Sequence, residues 1–207
     1  MVHLDTSVDR KLESWVRALN SLLPPSISVN WVQPVSNDFH ARFSATARTY
    51  IYVVRNDRVR SPLVRQRVGW MFYKLNLAPM KEAAALLMGE HDFSSFRASE
   101  CQAASPVRNL QQIRIEQCGA YYVFTFKANA FLHHMVRNLM GTLIYVGLGR
   151  MTPEAVITLL NQKDRRLAPP TFAPDGLYFA RVDYPDSFNL PQRSAQDNFK
   201  HHFGFLG

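Results

Sequence analysis

The residues best placed to do chemistry lie at 127–138, K-A-N-A-F-L-H-H-M-V-R-N, which carry two adjacent histidines and an arginine. Leu132, Met135, Val136, Leu139, Met140, Leu143 and Ile144 recur at three- and four-residue steps, the stripe of an amphipathic helix. At about 100° per residue, His133 and Arg137 fall on one edge of that stripe, and His134 and Asn138 on the opposite, wetter face. An arginine so placed is half buried and must find an anion, or it snorkels its head to water. Taken alone, Arg137 fits the second description. Adjacent histidines on a helix diverge, and no Cys or third His stands at ligand spacing, so no metal site is expected. His201–His202 near the C-terminus does not change that expectation.

A second concentration of chemistry is cationic. Residues 48–67 hold six arginines, no lysine and one acid, Asp57. Planar guanidinium forks match phosphate, so Arg48, Arg58 and Arg60 are expected to face nucleic acid, with a solvated loop as the alternative. The whole chain agrees: 24 basic against 16 acidic side chains give +8, with a pI near 9.8, the balance of a protein with a polyanionic partner. Cys101 and Cys118 form no C-x-x-C pair and read as free thiols in a reducing compartment. There is no apolar signal core at the N-terminus and no apolar run of about 18 residues. The expectation is a soluble, cytoplasmic protein with no membrane span.

The elements that must position these residues follow from periodicity. Residues 2–5 suggest a short strand. Val8, Leu12, Trp15, Val16, Leu19 and Leu22 share a helical face that Thr6 or Ser7 can cap, and Pro24–Pro25 ends it. Residues 27–35 alternate as a strand. That strand–helix–strand piece resembles the last half of a split βαβ unit, with a boundary in the polar stretch 36–44. Residues 49–54 alternate, with Tyr50, Tyr52 and Val54 on one face. Pro79 opens a helix that Gly89 stops. Residues 113–116 and 121–127 flank Cys118–Gly119 as a hairpin. A helix runs from Lys127 to Gly147, another starts at Pro153, and residues 177–183 form a last strand. The hairpin points to a largely antiparallel sheet, hence an α+β fold.

Several strings together resemble the TruA family, the tRNA pseudouridine synthases acting on positions 38 to 40 of the anticodon stem-loop. They are F-H-A-R-F-S-A-T-A-R at 39–48, G-E-H-D-F-S-S-F at 89–96, the 127–138 motif and G-L-Y at 176–178, and the likeness covers nearly all of residues 2–190. It implies the pseudouridine synthase fold, a central antiparallel sheet flanked by helices and built from two α/β halves, and a homodimer with tRNA as partner. Residues 1–38 would be a remnant of an incomplete N-terminal half, and 39–207 the C-terminal α/β domain.

The same likeness implies the chemistry. The family breaks a glycosidic bond and re-forms it to carbon with one aspartate and no metal or organic cofactor. An arginine holds that carboxylate ionised and aimed, and an aromatic side chain receives the unstacked base. Arg137 matches the arginine, Tyr50 the tyrosine that packs on the target base, and Leu177 an apolar residue of the same pocket. On their own, Tyr50 and Leu177 read equally as core. The aspartate belongs to a G-R-T-D-A-G-V-H-type loop just before the strand that Met1–Leu4 matches. Asp5 and Asp92 do not replace it; Asp92 reads as a turn or capping acid. A start site assigned too late, a deliberate truncation or a decayed gene would each look alike here. The chain as given is therefore expected to be inactive by itself. The alternative is a non-catalytic RNA-binding module.

Overall fold

The computed structural model describes residues 1–191; His201–His202 and the tail from 192 onward lie outside the described residues. The chain separates into two compact units, Thr46–Asp183 and Met1–Ala45 with the segment beginning at Tyr184.

The larger unit is built on β1 (Ala47–Asn56). Its run Ile51–Val54 is buried side chain by side chain, the pattern of a strand covered on both faces. One edge of β1 pairs antiparallel with β5 (Tyr121–Ala128), from Arg48↔Ala128 to Arg55↔Tyr121. The hairpin partner of β5 is β4 (Val107–Cys118), closed by the two residues between Cys118 and Tyr121, and β3 (Gly89–Asp92) completes that side. The other edge of β1 is shared. Its first half pairs antiparallel with β6 (Leu177–Asp183), and its last residues pair parallel with β2 (Gly69–Met71). The sheet is thus mixed rather than wholly antiparallel. The crossover between β1 and β2 spans about the dozen residues that a parallel connection needs.

Three helices cover one face. α2 (Leu77–Leu86) is capped by Asn76 Oδ1 on the Ala78 N–H. α3 is Met135–Gly147, and α4 (Pro153–Gln162) is capped by Thr152 Oγ1 on the Ala155 N–H. Tyr52, Tyr122, Phe124 and Phe126 from the sheet meet Met80, Ala83, Leu139, Leu143, Val156 and Leu159 from the helices in one core. The opposite face carries a small apolar cluster of Ile51, Val53 and Val68 with a few half-buried neighbours. The α+β class, the hairpin, the α4 start and β6 all stand as the sequence implies.

In the smaller unit, α1 (Leu12–Leu22) is amphipathic and buries no side chain. It starts later than expected, at a Lys11 N-cap without a side-chain bond; Thr6 Oγ1 instead takes the Val8 N–H outside the helix. Neither 2–5 nor 27–35 forms a strand. Alternation alone cannot close a ladder, and among the described residues neither segment has a strand to pair with. Asn20 satisfies the second segment instead, bonding both the N–H and the C=O of Val29. Phe39 packs against Tyr184 and Phe188, each 5.1 Å away.

Candidate active site

Arg137 reaches its position by an unexpected route. Residues 127–134 are not helical. His134 takes the left-handed conformation (φ 60°, ψ 5°) and α3 begins one residue later. The rings of His133 and His134 consequently stack, 4.0 Å apart, rather than diverging on a helix. Arg137 lies in the first turn, half-buried. Its Nε donates to the Phe172 carbonyl (2.9 Å), and the Phe172 N–H donates to the Arg137 carbonyl (3.1 Å). Arg137 Nη1 lies 3.3 Å from His134 Nε2. Among the described residues no carboxylate is in ion-pair range of it. The arginine has found a backbone carbonyl, and it neither snorkels free nor stands orphaned. Asn138, expected on the wet face, is buried, because it donates to the Phe96 carbonyl (2.7 Å) and accepts from Thr171 Oγ1 (2.6 Å).

Tyr50 and Tyr52 share the helix-covered face of β1. The Tyr50 ring meets Phe131 edge-on at 5.2 Å and Phe179 at 5.1 Å. Phe179 is 53% exposed, so this aromatic corner opens to solvent. Burial raises the Tyr50 hydroxyl pKa, with the Arg48 charge opposing. Two pairs along, on the same face, Leu177 stands opposite Tyr52. That register needs Gly176: its φ is 91°, and a Cβ there would come within 2.2 Å of the Val53 carbonyl. The Tyr52 ring lies 5.7 Å from Phe172, and its hydroxyl donates to the Ala173 carbonyl. Burial raises the Tyr52 hydroxyl pKa, and the nearby Arg137 charge works against that rise. Tyr52, next to Tyr50 on that face and opposite Leu177, is thus linked through Phe172 to Arg137. Burial, then the charges of His133 and Arg137, lowers the His134 pKa, so its ring stays neutral at pH 7 and can accept from Arg137.

The arginine strip is not one surface. Arg48 sits at the start of β1 with Nη1 on the Asn129 carbonyl (2.7 Å). Arg58 and Arg60 lie past the far end of the strand, roughly 30 Å away at ~3.3 Å per residue. Arg58 is exposed, and Arg60 lies over the Trp70 ring at 4.4 Å, a cation–π arrangement. Asp92 behaves as a turn acid: its Oδ1 accepts from the Ser94 N–H and hydroxyl. Cys101 and Cys118 form no disulfide and are each half-buried. Among the described residues no cluster of three or more His, Cys, Asp or Glu could hold a metal, and no helix is long and apolar enough to cross a membrane. Sequence reading missed Phe131, Phe172 and His134 as neighbours of the site. Phe131 and His134 stand inside the 127–138 motif, but Phe172 has no local signal.

Known proteins resemble the chain in sequence. A family model described as tRNA pseudouridine synthase matches residues 83–185. The chain is 55% identical to tRNA pseudouridine synthase A of Bordetella petrii over 190 residues, 92% of this chain and 71% of the relative. It is 54% identical to the same protein of Methylibium petroleiphilum over 194 residues (94% and 75%), and 51% identical to that of Janthinobacterium sp. over 203 residues (95% and 75%). Matches of this depth across nearly the whole chain, on an α+β sheet of the expected kind, place it: the chain belongs to the TruA family of tRNA pseudouridine synthases.

Proposed function

We propose that the protein serves the isomerisation of uridine to pseudouridine at positions 38–40 of the tRNA anticodon stem-loop, as a cytoplasmic homodimer whose reaction requires an aspartate supplied beside Arg137. The observation that supports this reading is the series of contacts from Leu177 opposite Tyr52, through Phe172, to Arg137, with Tyr50 next to Tyr52 on the same face of β1. In this reading the unstacked uracil rests on Tyr50, in the corner formed with Phe131 and Phe179. Leu177 closes the apolar side. Arg137 keeps a catalytic aspartate ionised and directed at the sugar carbon, and electrostatics of this kind carries much of the rate. Arg48, Arg58 and Arg60 contact phosphates. No organic cofactor or metal takes part.

One part of the reaction has no counterpart among the described residues: no aspartate stands beside Arg137. We therefore propose that residues 1–207 by themselves bind tRNA and do not convert it. Positioning and charge cannot replace an absent nucleophile.

Binding and conversion are to be measured on the same transcribed tRNA. Residues 1–207 are expected to bind with steep salt dependence and form no pseudouridine. Joining a family-type loop carrying the aspartate ahead of residue 1 should yield pseudouridine at positions 38–40, and Tyr50→Ala or Arg137→Ala in that protein should abolish it. Pseudouridine made by 1–207 alone would overturn the second proposal. Failure to bind tRNA at low salt would overturn both.

A further inference from the structure

Arg165, outside the site described above, lies half-buried in the 3-10 turn Arg165–Leu167 that follows α4 in the chain. Its Nη1 donates to the carbonyls of Ala168 (3.2 Å) and Pro169 (3.0 Å), and its Nη2 to Asn138 Oδ1 (3.1 Å) and Thr171 Oγ1 (3.0 Å). All four acceptors are neutral, and among the described residues Arg165 has no carboxylate partner. Four bonds from one planar fork fix direction as well as distance. The segment they hold lies hard against α3, where a Cβ on Gly141 would come within 2.1 Å of the Pro170 carbonyl.

The two side-chain acceptors matter most. Asn138 adjoins Arg137 in α3, and Thr171 adjoins Phe172 in the loop. Arg165 thus ties together the neighbours of the two residues that bracket one another, Arg137 Nε on the Phe172 carbonyl and the Phe172 N–H on the Arg137 carbonyl. We propose that Arg165 is a positioning residue for Arg137, pinning the 168–172 loop so that the Phe172 carbonyl holds the Arg137 guanidinium in its working orientation. The loop carries the carbonyl, the carbonyl orients the guanidinium, and the guanidinium aims the carboxylate. The last link rests on the function proposed above; the earlier links do not.

The test reads Arg137 directly, by nitrogen-15 NMR of arginine Nε–Hε groups in the 207-residue chain. Arg137→Lys identifies its signal by removing it. In the unmodified chain that proton is expected to exchange slowly, and in Arg165→Gln about tenfold faster, the factor for losing one buried hydrogen bond's net contribution. Ile115→Ala, a core change in β4 that lowers the melting temperature without touching this network, should leave it slow. Should Arg165→Gln not fold, Thr171→Val removes one shared partner at constant shape and should speed exchange in the same sense. The coupling is overturned if both network variants exchange like the unmodified chain, or if Ile115→Ala speeds exchange as much as they do. An intact coupling in a protein whose Arg137 proves dispensable for conversion would strike the functional reading and leave the positioning role standing.

Discussion

The two ends of β1 use arginine in opposite ways. At the Tyr50 end, Arg137 is held by a main-chain carbonyl and a histidine nitrogen, and the loop that supplies the carbonyl is itself tied down by Arg165. At the other end, Arg58 projects into solvent and Arg60 rests on Trp70, with Phe72 and Tyr73 exposed beside it. One end fixes a charge to within the tolerance of a hydrogen bond. The other presents charge that acts over a Debye length and needs no fixed geometry. A site that aims a reacting group requires the first kind. A surface that collects a polyanion is served by the second.

The sharpest way to break this contrast is at Gly176. Gly176→Ala puts a side chain against the Val53 carbonyl at a φ of 91°, and should cost roughly 2–4 kcal/mol in denaturant unfolding. A loss under about 0.5 kcal/mol, the range of ordinary surface changes, would show that the Tyr50 end is less rigid than described. Arg137→Met comes next. It removes the donor to the Phe172 carbonyl, so a cost of about 1–3 kcal/mol is expected. The family likeness, which pairs Arg137 with an aspartate from the G-R-T-D-A-G-V-H-type loop, would make this change neutral or mildly stabilising in residues 1–207, as the removal of an unpaired charge. A neutral result would mean that water replaces the arginine at that carbonyl.

At the far end the effects should be electrostatic. Arg58→Gln with Arg60→Gln should leave stability within about 1 kcal/mol and flatten the salt dependence of tRNA binding by about one slope unit per lost contact. An unchanged slope would reduce that end to a solvated loop. The smallest effect concerns His134. Its folded pKa is lowered, with burial and then the charges of His133 and Arg137 as causes, so the unfolded chain binds the proton more readily and stability rises with pH. The melting temperature should dip slightly as pH falls from about 7 through the unfolded histidine value near 6.5 towards about 5. His134→Asn, which tolerates the left-handed backbone, should remove the dip attributable to this ring. A dip equally deep in that variant would assign it elsewhere.

Most of the sheet and helix plan is legible because it rests on local period. Tyr122, Phe124 and Phe126 alternate into the core, and the α3 stripe is buried at each expected position. Errors arise where a distant residue decides. The start of α3 depends on one left-handed histidine, which no apolar pattern encodes. Asn138 is buried because Arg165 and Thr171, far along the chain, supply its partners. β2 and β3 are too short to show a period, so the parallel pair on β1 could not be foreseen. Arg137 and Tyr50 were found through a likeness to a family. The carbonyl that holds Arg137 was not, since a backbone acceptor leaves no mark on residue type.

Backbone acceptors govern how the 165–176 stretch tolerates change. Its working parts at Ala168, Pro169, Phe172 and Ala173 are main-chain groups, indifferent to the side chain attached. Apart from Arg165, Thr171, Phe172 and Gly176, whose side chains or lack of one matter, substitution along it should be permitted wherever the backbone keeps its path. Length is another matter: adding or deleting one residue shifts every carbonyl out of register with the donors that read them. The stretch behaves like a ruler, whose graduations must keep their spacing whatever is printed beside them.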